Sequence, residues 1–220
     1  MTRLTADLIE DIGTTLKKRD SRLVDELGLT LKDLARITIC PEETDIDLRG
    51  IRTAAVPVSS GKGIVPTFSN SVCAISRHLG MDGFVTKNAD VIGLSEAITL
   101  GAEIVFMADD REFIALNVQE GKYADNSHAT AWGYCAALES AMGDVRNQEI
   151  LVVGAGRVGS CAIERLVSKG AKVSLCEADV TRARWAKERF GIEIILDIKE
   201  AIQGAKAILN ASPVQFPGEW

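Results

Sequence analysis

The sequence is poor in aromatic residues, which make up 5% of its 220 positions. A base-stacking surface for nucleic acid needs rings on a basic face. Positive charge is also short: 25 Lys and Arg stand against 31 Asp and Glu, a net charge of −6, and the pI is near 5.1. That balance argues against a nucleic-acid partner and disfavours docking on an anionic membrane. No run of 18 apolar residues occurs, so no transmembrane helix is expected. The opening MTRLTADLIEDIG carries acids where a secretory signal needs an unbroken apolar stretch. The five cysteines (Cys40, Cys73, Cys135, Cys161 and Cys176) are scattered, odd in number and without a CxxC pair. This usage fits a reducing, cytoplasmic compartment and no disulfide framework. With two well-separated histidines and no ligand spacing, no metal site is expected. Cys73 and Cys161 fall in apolar helical stretches and read as small core residues.

Against these absences, 46% hydrophobic and 25% charged residues describe an ordinary globular protein. The length allows one large domain or two small ones. Leu8, Ile9, Ile12 and Leu16 follow a helical period, continued by Leu23, Val24 and Leu27 until Gly28. Thr30 and Asp33 resemble a capping arrangement for a short helix through Ala35. Residues 41–50 read as an acidic loop.

From Ile51 strands and helices alternate. Strands are expected at 53–58, 84–86 and 103–108, with helices at 69–79, at 90–100 (Asp90 as its cap) and at 129–142. At this spacing the pattern implies a parallel sheet with right-handed crossovers. A second α/β unit follows, with strands at 149–153, 172–176, 192–196 and 206–210 and helices at 157–169 and 181–189. The fold class is therefore α/β: an N-terminal α/β substrate domain over residues 1–145 and a Rossmann-like dinucleotide-binding domain over residues 146–220. The 129–142 helix is expected to join them. A full dinucleotide fold has two mononucleotide halves. The 146–220 segment is read as the first of them, truncated at the C-terminus.

The strongest motif is Gly154-Ala155-Gly156-Arg157-Val158-Gly159, which follows the strand EILVV and opens a helix. Gly154 permits the tight turn, Gly156 lets a pyrophosphate approach the backbone, and Gly159 lets helix and strand pack closely. Glu177 ends the next strand, about twenty residues beyond the last glycine, the position of a ribose-binding acid. It would accept hydrogen bonds from the adenosine ribose and repel a 2′-phosphate, favouring NAD over NADP. A helix-packing glycine motif beside an exposed Glu is the plainer alternative.

Asp109 and Asp110 lie beyond a strand's carboxyl end, where open α/β sheets place ligands. They could hold an ammonium group, or be a plain turn pair. The loop Ser59-Ser60-Gly61-Lys62-Gly63 offers hydroxyls and N–H groups to a carboxylate, or is a polar turn; it lacks P-loop spacing.

Several stretches resemble the pyrrolysine synthase family: VPVSSGKGIVPTFSNS (56–71), GFVTKNADVIGLSEAITLGAEIVFMADDREFIALNV (83–118), GKYADN (121–126) and ILVVGAGRVG (150–159). The MADD string and the VPVSSGKG loop are more specific than the glycine fingerprint. The resemblance implies an NAD-dependent amine dehydrogenase with a dipeptide-like substrate, lysine joined through its side-chain nitrogen to 3-methyl-D-ornithine. The terminal amine carbon would be oxidised and the chain would close to the pyrroline ring of pyrrolysine. By the same resemblance Asp109 is the catalytic residue that holds or activates the reacting amine. Ser59, Ser60 and Gly61 form the substrate loop, Phe68 lines the pocket, and Asn126 hydrogen-bonds substrate or nicotinamide. Leu4 belongs to a segment that closes over the site. Lys62 stands where the family carries a neutral polar residue and is not assigned a role. A homodimer is left open. The rival readings are another NAD-dependent amino-acid or opine dehydrogenase, and a non-catalytic NAD-binding sensor.

Overall fold

A computed structural model describes residues 7, 9–39, 47–213, 215 and 216. Leu4 and Cys40 lie outside the described residues. The chain forms two compact units, residues 1–126 and 127–220.

The first unit begins with α1 (Ile12–Leu27) and α2 (Leu31–Ile39). Gly28 ends α1 in the left-handed conformation at φ 70°, donating its N–H to the Val24 carbonyl. Thr30 and Asp33 form the expected reciprocal cap: the Thr30 N–H donates to Asp33 Oδ2 at 3.0 Å, and the Asp33 N–H to Thr30 Oγ1 at 3.1 Å. α2 then runs one turn further than expected. α1 packs on α3 (Phe68–His78), and α2 packs on α1. The Ser71 hydroxyl donates to the Ile9 carbonyl at 3.0 Å, and His78 Nε2 meets Asp20 Oδ2 at 2.5 Å. His78, which reads in the sequence as a surface residue, is thus half-buried and paired.

The first sheet has the order β2-β1-β3-β4-β5, with β1 (Arg52–Val56), β2 (Asp82–Val85), β3 (Ile104–Ala108), β4 (Phe113–Asn117) and β5 (Lys122–Asp125). α4 (Asp90–Thr99) links β2 to β3. β2, β1 and β3 run parallel as expected. β4 and β5 are antiparallel, so the sheet is mixed. The four residues between β3 and β4 are too few for a crossover and form a hairpin turn. The second turn is built by Asn117, whose side-chain oxygen accepts the N–H groups of Gln119 and Glu120, and by Gly121 at φ 62°. One core cluster is made of small residues, Ala54, Val56, Ala97, Ala102 and Val105; a second, of Ala55, Val72 and Cys73, packs against Phe68, Phe106 and Phe113.

The second unit contains α5 (Asn126–Met142), β6 (Glu149–Val153), α6 (Arg157–Ser168), β7 (Lys172–Cys176), α7 (Val180–Phe190), β8 (Glu193–Ile194), α8 (Ile198–Gly204) and β9 (Ala207–Asn210). Its sheet order is β8-β7-β6-β9, all parallel. That is the order of one Rossmann mononucleotide half plus the strand that reverses direction of growth. β6 is buried on both faces, which is why EILVV carries no alternation. The two units meet in sequence at 126/127, not near 145. α5 belongs to the second unit because Ala131 and Cys135 pack into one core with Ile150, Ile163, Leu166 and Leu175. Among the described residues, Cys73 is buried as expected and Cys161 is only half-buried. No helix of the described residues is long and apolar enough to cross a membrane.

Candidate functional site

In the first unit a cavity of about 250 Å³ opens at the carboxyl ends of β1 and β3. Its walls are Val56, Pro57, Val58, Ile64, Val65, Phe68 and Phe113; its polar atoms come from Ser69, Asp109, Asp110 and Asn126. Phe68, Asp109 and Asn126, far apart in sequence, are thereby brought together. Phe68 is held edge-on to Phe113, with ring centroids 5.3 Å apart. It opens α3 directly after Thr67, a β-branched residue at φ 66°. Such backbone strain is retained only where its surroundings over-determine it.

Asp109 takes the turn position that the sequence offered, and its side chain also reaches the cavity. Oδ1 accepts the Arg111 N–H at 2.7 Å and the Glu112 N–H at 2.8 Å, which shapes the β3–β4 turn. The same side chain lines the cavity. The N–H groups of Glu112 and Arg111 hold its carboxyl below the usual aspartate range, outweighing partial desolvation and the neighbouring Asp110 charge. It is therefore an anion over the whole neutral range.

The loop 59–63 is pinned at both ends by carboxylates. Asp110 Oδ2 accepts the Lys62 N–H at 2.7 Å. A Cβ at Gly61 would fall 2.3 Å from that same oxygen, and Gly61 has φ +69°, so only glycine fits. At the other end Asp90 binds Ser59 through N–H and hydroxyl. Asp90 is thus not the helix cap expected from the sequence: Ala89 occupies the cap position and receives no side-chain bond. Ser59 and Ser60 are exposed beside Pro57 and Val58 rather than inside the cavity.

In the second unit the glycine loop lies between β6 and α6. Gly154 has φ +92° and approaches Ala211 and Ser212, just beyond β9. A Cβ at Gly159 would sit 1.9 Å from the Gly154 carbonyl oxygen, so this glycine permits the helix to close on the loop. A Cβ at Gly156 would meet nothing within 4 Å. Gly156 caps α6 without a side chain, and Val158 and Gly159 precede the first intrahelical bond, from the Ser160 N–H to the Gly156 carbonyl. Open space above a glycine at a helix N-terminus fits a pyrophosphate.

Ala155 and Glu177 differ from their sequence reading in detail. Ala155 is buried, and its N–H donates to Glu177 Oε2 at 2.7 Å. Glu177 Oε1 accepts the Asp179 N–H at 2.8 Å and Arg182 Nη2 at 3.1 Å. The Glu177 side chain is only 6% exposed. Burial pushes its carboxyl up, but the N–H groups of Asp179 and Ala155 and the Arg182 guanidinium prevail, and the net shift is downward. The acid that the sequence assigns to the adenosine ribose thus also holds the glycine loop.

Sequence reasoning missed Asp90 and Asp110 as loop anchors, and Asn210 and Ser212 beside Gly154. Asn210 Oδ1 accepts the Ser212 N–H at 3.0 Å. The signal for this last pair was its position after the fourth strand, where the direction of sheet growth reverses.

Comparison with known proteins agrees with both halves. Residues 9–124 match the family described as pyrrolysine biosynthesis protein PylD, N-terminal domain, and residues 149–217 match NADP oxidoreductase, coenzyme F420-dependent. The chain is 38% identical over 192 residues to pyrrolysine synthase of Methanosarcina barkeri, covering 87% of this chain and 71% of that protein. It is 37% identical over 183 residues to pyrrolysine synthase of Methanosarcina acetivorans, covering 81% and 67%. In fold it is similar to a shikimate 5-dehydrogenase-like protein, with a TM-score of 0.50 at 12% identity over 80% of this chain and 70% of the other. The match to the N-terminal family, the two relatives and the oxidoreductase-type second unit together place the chain in the pyrrolysine synthase family.

Proposed function

We propose that the protein is a cytoplasmic NAD-dependent dehydrogenase acting on lysine-Nε-3-methyl-D-ornithine and forming the pyrroline ring of pyrrolysine. The observation that carries this reading is the cavity in which an ionised Asp109 stands among apolar walls beside Asn126. A carboxylate at the mouth of such a cavity suits the amine end of an otherwise aliphatic substrate. NAD, held by residues 154–159, supplies a two-electron acceptor for the hydride.

The terminal carbon of the ornithine part loses a hydride and its amine loses a proton, giving an imine. Water converts the imine to an aldehyde and releases ammonia. The internal α-amine then attacks the aldehyde and water leaves, closing the five-membered C=N ring. Asp109 is the group that orients the amine and accepts its proton. Ring closure is intramolecular, so restraint of the substrate by Phe68 and Asn126 contributes to its rate.

Preference for NAD over NADP is supported by Glu177 and by the state of its neighbour Arg182. That guanidinium is already paired to Glu177 and lies 3.8 Å from Asp179, so its charge is compensated before any 2′-phosphate arrives. Incubation with NAD and the lysine–methylornithine dipeptide, followed by mass spectrometry, tests the proposal. The expected product has lost two hydrogens and one ammonia, with one NADH formed per ring. A protein that binds the dipeptide and NAD without that mass change would overturn it.

A further inference from the structure

Asp90 opens α4 at φ +55°, a left-handed conformation for a residue that has a side chain. It does not spend its carboxylate on its own helix. Oδ1 accepts the Ser59 N–H at 2.7 Å, Oδ2 accepts the Ser59 hydroxyl at 2.5 Å, and the Asp90 N–H donates to the Pro57 carbonyl at 2.9 Å. Three bonds thus reach from one strained residue to the segment 57–59, two residues of which line the cavity. Segment 86–90 is itself braced: Glu96 accepts the N–H groups of Lys87 and Asn88, and Gly93 lets Asn88 approach the helix.

The direction of the hydroxyl bond has a chemical consequence. A carboxylate has no proton to give, so the Ser59 hydroxyl must be the donor. A serine hydroxyl has one proton and two lone pairs. Once the proton is committed to Asp90, Ser59 can offer a ligand only an acceptor. We propose that Asp90 is a positioning residue that locks the Ser59 hydroxyl as an acceptor beside the substrate cavity, so that this loop recognises an N–H donor rather than a carboxylate. This replaces the sequence reading of the loop as a carboxylate cradle at Ser59. It deepens the proposed function and rests on it, because the dipeptide carries several amines and an amide N–H. Ser59, at the rim, and Asp109, in the lining, then have the same acceptor polarity.

Asp90→Asn tests the idea cleanly. Asn tolerates a left-handed backbone, and its Oδ1 can still accept the Ser59 N–H. Its Nδ2 then faces the Ser59 oxygen as a donor and turns the hydroxyl proton outward, inverting the polarity without changing the shape. The expected result is an unchanged melting temperature and NAD affinity, dipeptide binding by calorimetry weakened about tenfold, KM raised in proportion, and kcat altered less than twofold. Ser59→Ala should then cost nothing further in the Asp90→Asn background. Asp90→Gly supplies a second variant: it suits the backbone, removes the clasp, and should raise KM without lowering the melting temperature. Unchanged dipeptide affinity in folded Asp90→Asn, or losses that track the melting temperature alone, would overturn the assignment. Wild-type turnover tests the reaction, while the ratio of variant to wild-type dipeptide affinity tests Asp90, so the two fail separately; a wild type that does not bind the dipeptide sinks both.

Discussion

Both units hold a loop at the carboxyl end of their central strand by directing carboxylates at its backbone N–H groups, but they do so in different surroundings. In the second unit one almost enclosed acid, Glu177, grips Ala155 beneath a loop of glycines. In the first unit the anchors Asp90 and Asp110 are only partly covered and hold the loop at Ser59 and Lys62. The cores differ in the same sense. Ile150, Leu151, Ile163, Leu166 and Leu175 fill the second unit, whereas alanines dominate beside β1 and α4 in the first. Large aliphatic side chains bury more apolar area per residue and so contribute more stability each. The second unit thus rests on aliphatic packing, and the first sets its loop by specific hydrogen bonds.

Several experiments would break or sharpen that contrast. The largest effect is expected for Gly156→Val. Its side chain would enter the space that the pyrophosphate needs while meeting no protein atom, so the protein should fold normally and lose more than a hundredfold in NAD affinity. Retained affinity by calorimetry would mean that residues 154–159 only pack a helix.

Next is Asp109→Asn. The amide oxygen can still accept the N–H groups of Arg111 and Glu112, so the turn survives and only the charge is lost. Turnover should fall about a hundredfold, equivalent to ~3 kcal/mol of lost charged contact, with NAD binding intact. Near-normal turnover would leave Asp109 as a turn residue and return attention to Asp110 and Asn126.

Glu177→Ala should weaken NAD about tenfold and narrow the margin over NADP, because it both frees the Ala155 N–H and removes the acid. If calorimetry shows a changed NAD-to-NADP ratio with no loss of NAD itself, the carboxylate acts only by repelling the 2′-phosphate, and its bond to Ala155 does not matter for NAD binding.

The smallest effect is on stability against pH. Glu177 has a folded pKa below its unfolded value of about 4.3. Its contribution is therefore complete above that value and disappears as pH falls through the depressed folded value. Glu177→Gln should melt a few degrees below wild type at neutral pH, reflecting about 1–2 kcal/mol, and the two curves should converge in acid. A gap independent of pH would show that the charge plays no part.

Much of this was legible in the sequence wherever a local physical rule applies. The strand EILVV, the glycines after it and the acid ending β7 announce a parallel nucleotide-binding unit, because a doubly buried strand tolerates no polar face and a pyrophosphate tolerates no Cβ. The Thr30–Asp33 cap and the Gly28 stop depend only on residues within one turn, and both appear in the structure. Phe68 and Asn126 came from likeness to a family, not from periodicity, whereas Asp109 was also marked by its place beyond a strand's carboxyl end.

Tertiary structure decided the rest. The antiparallel pair β4–β5 depends on which edge of the sheet is open, and FIALN alone does not carry that information. The division at 126/127 follows from α5 packing Ala131 and Cys135 into the second core, a contact across many residues of chain. Whether Asp90 capped its helix or clasped Ser59, and whether Glu177 faced solvent or Ala155, turned on which N–H groups lay within about 3 Å once the strands were paired. A carboxylate's identity is written in the sequence; its hydrogen-bond partners are set by distances that only the folded sheet creates.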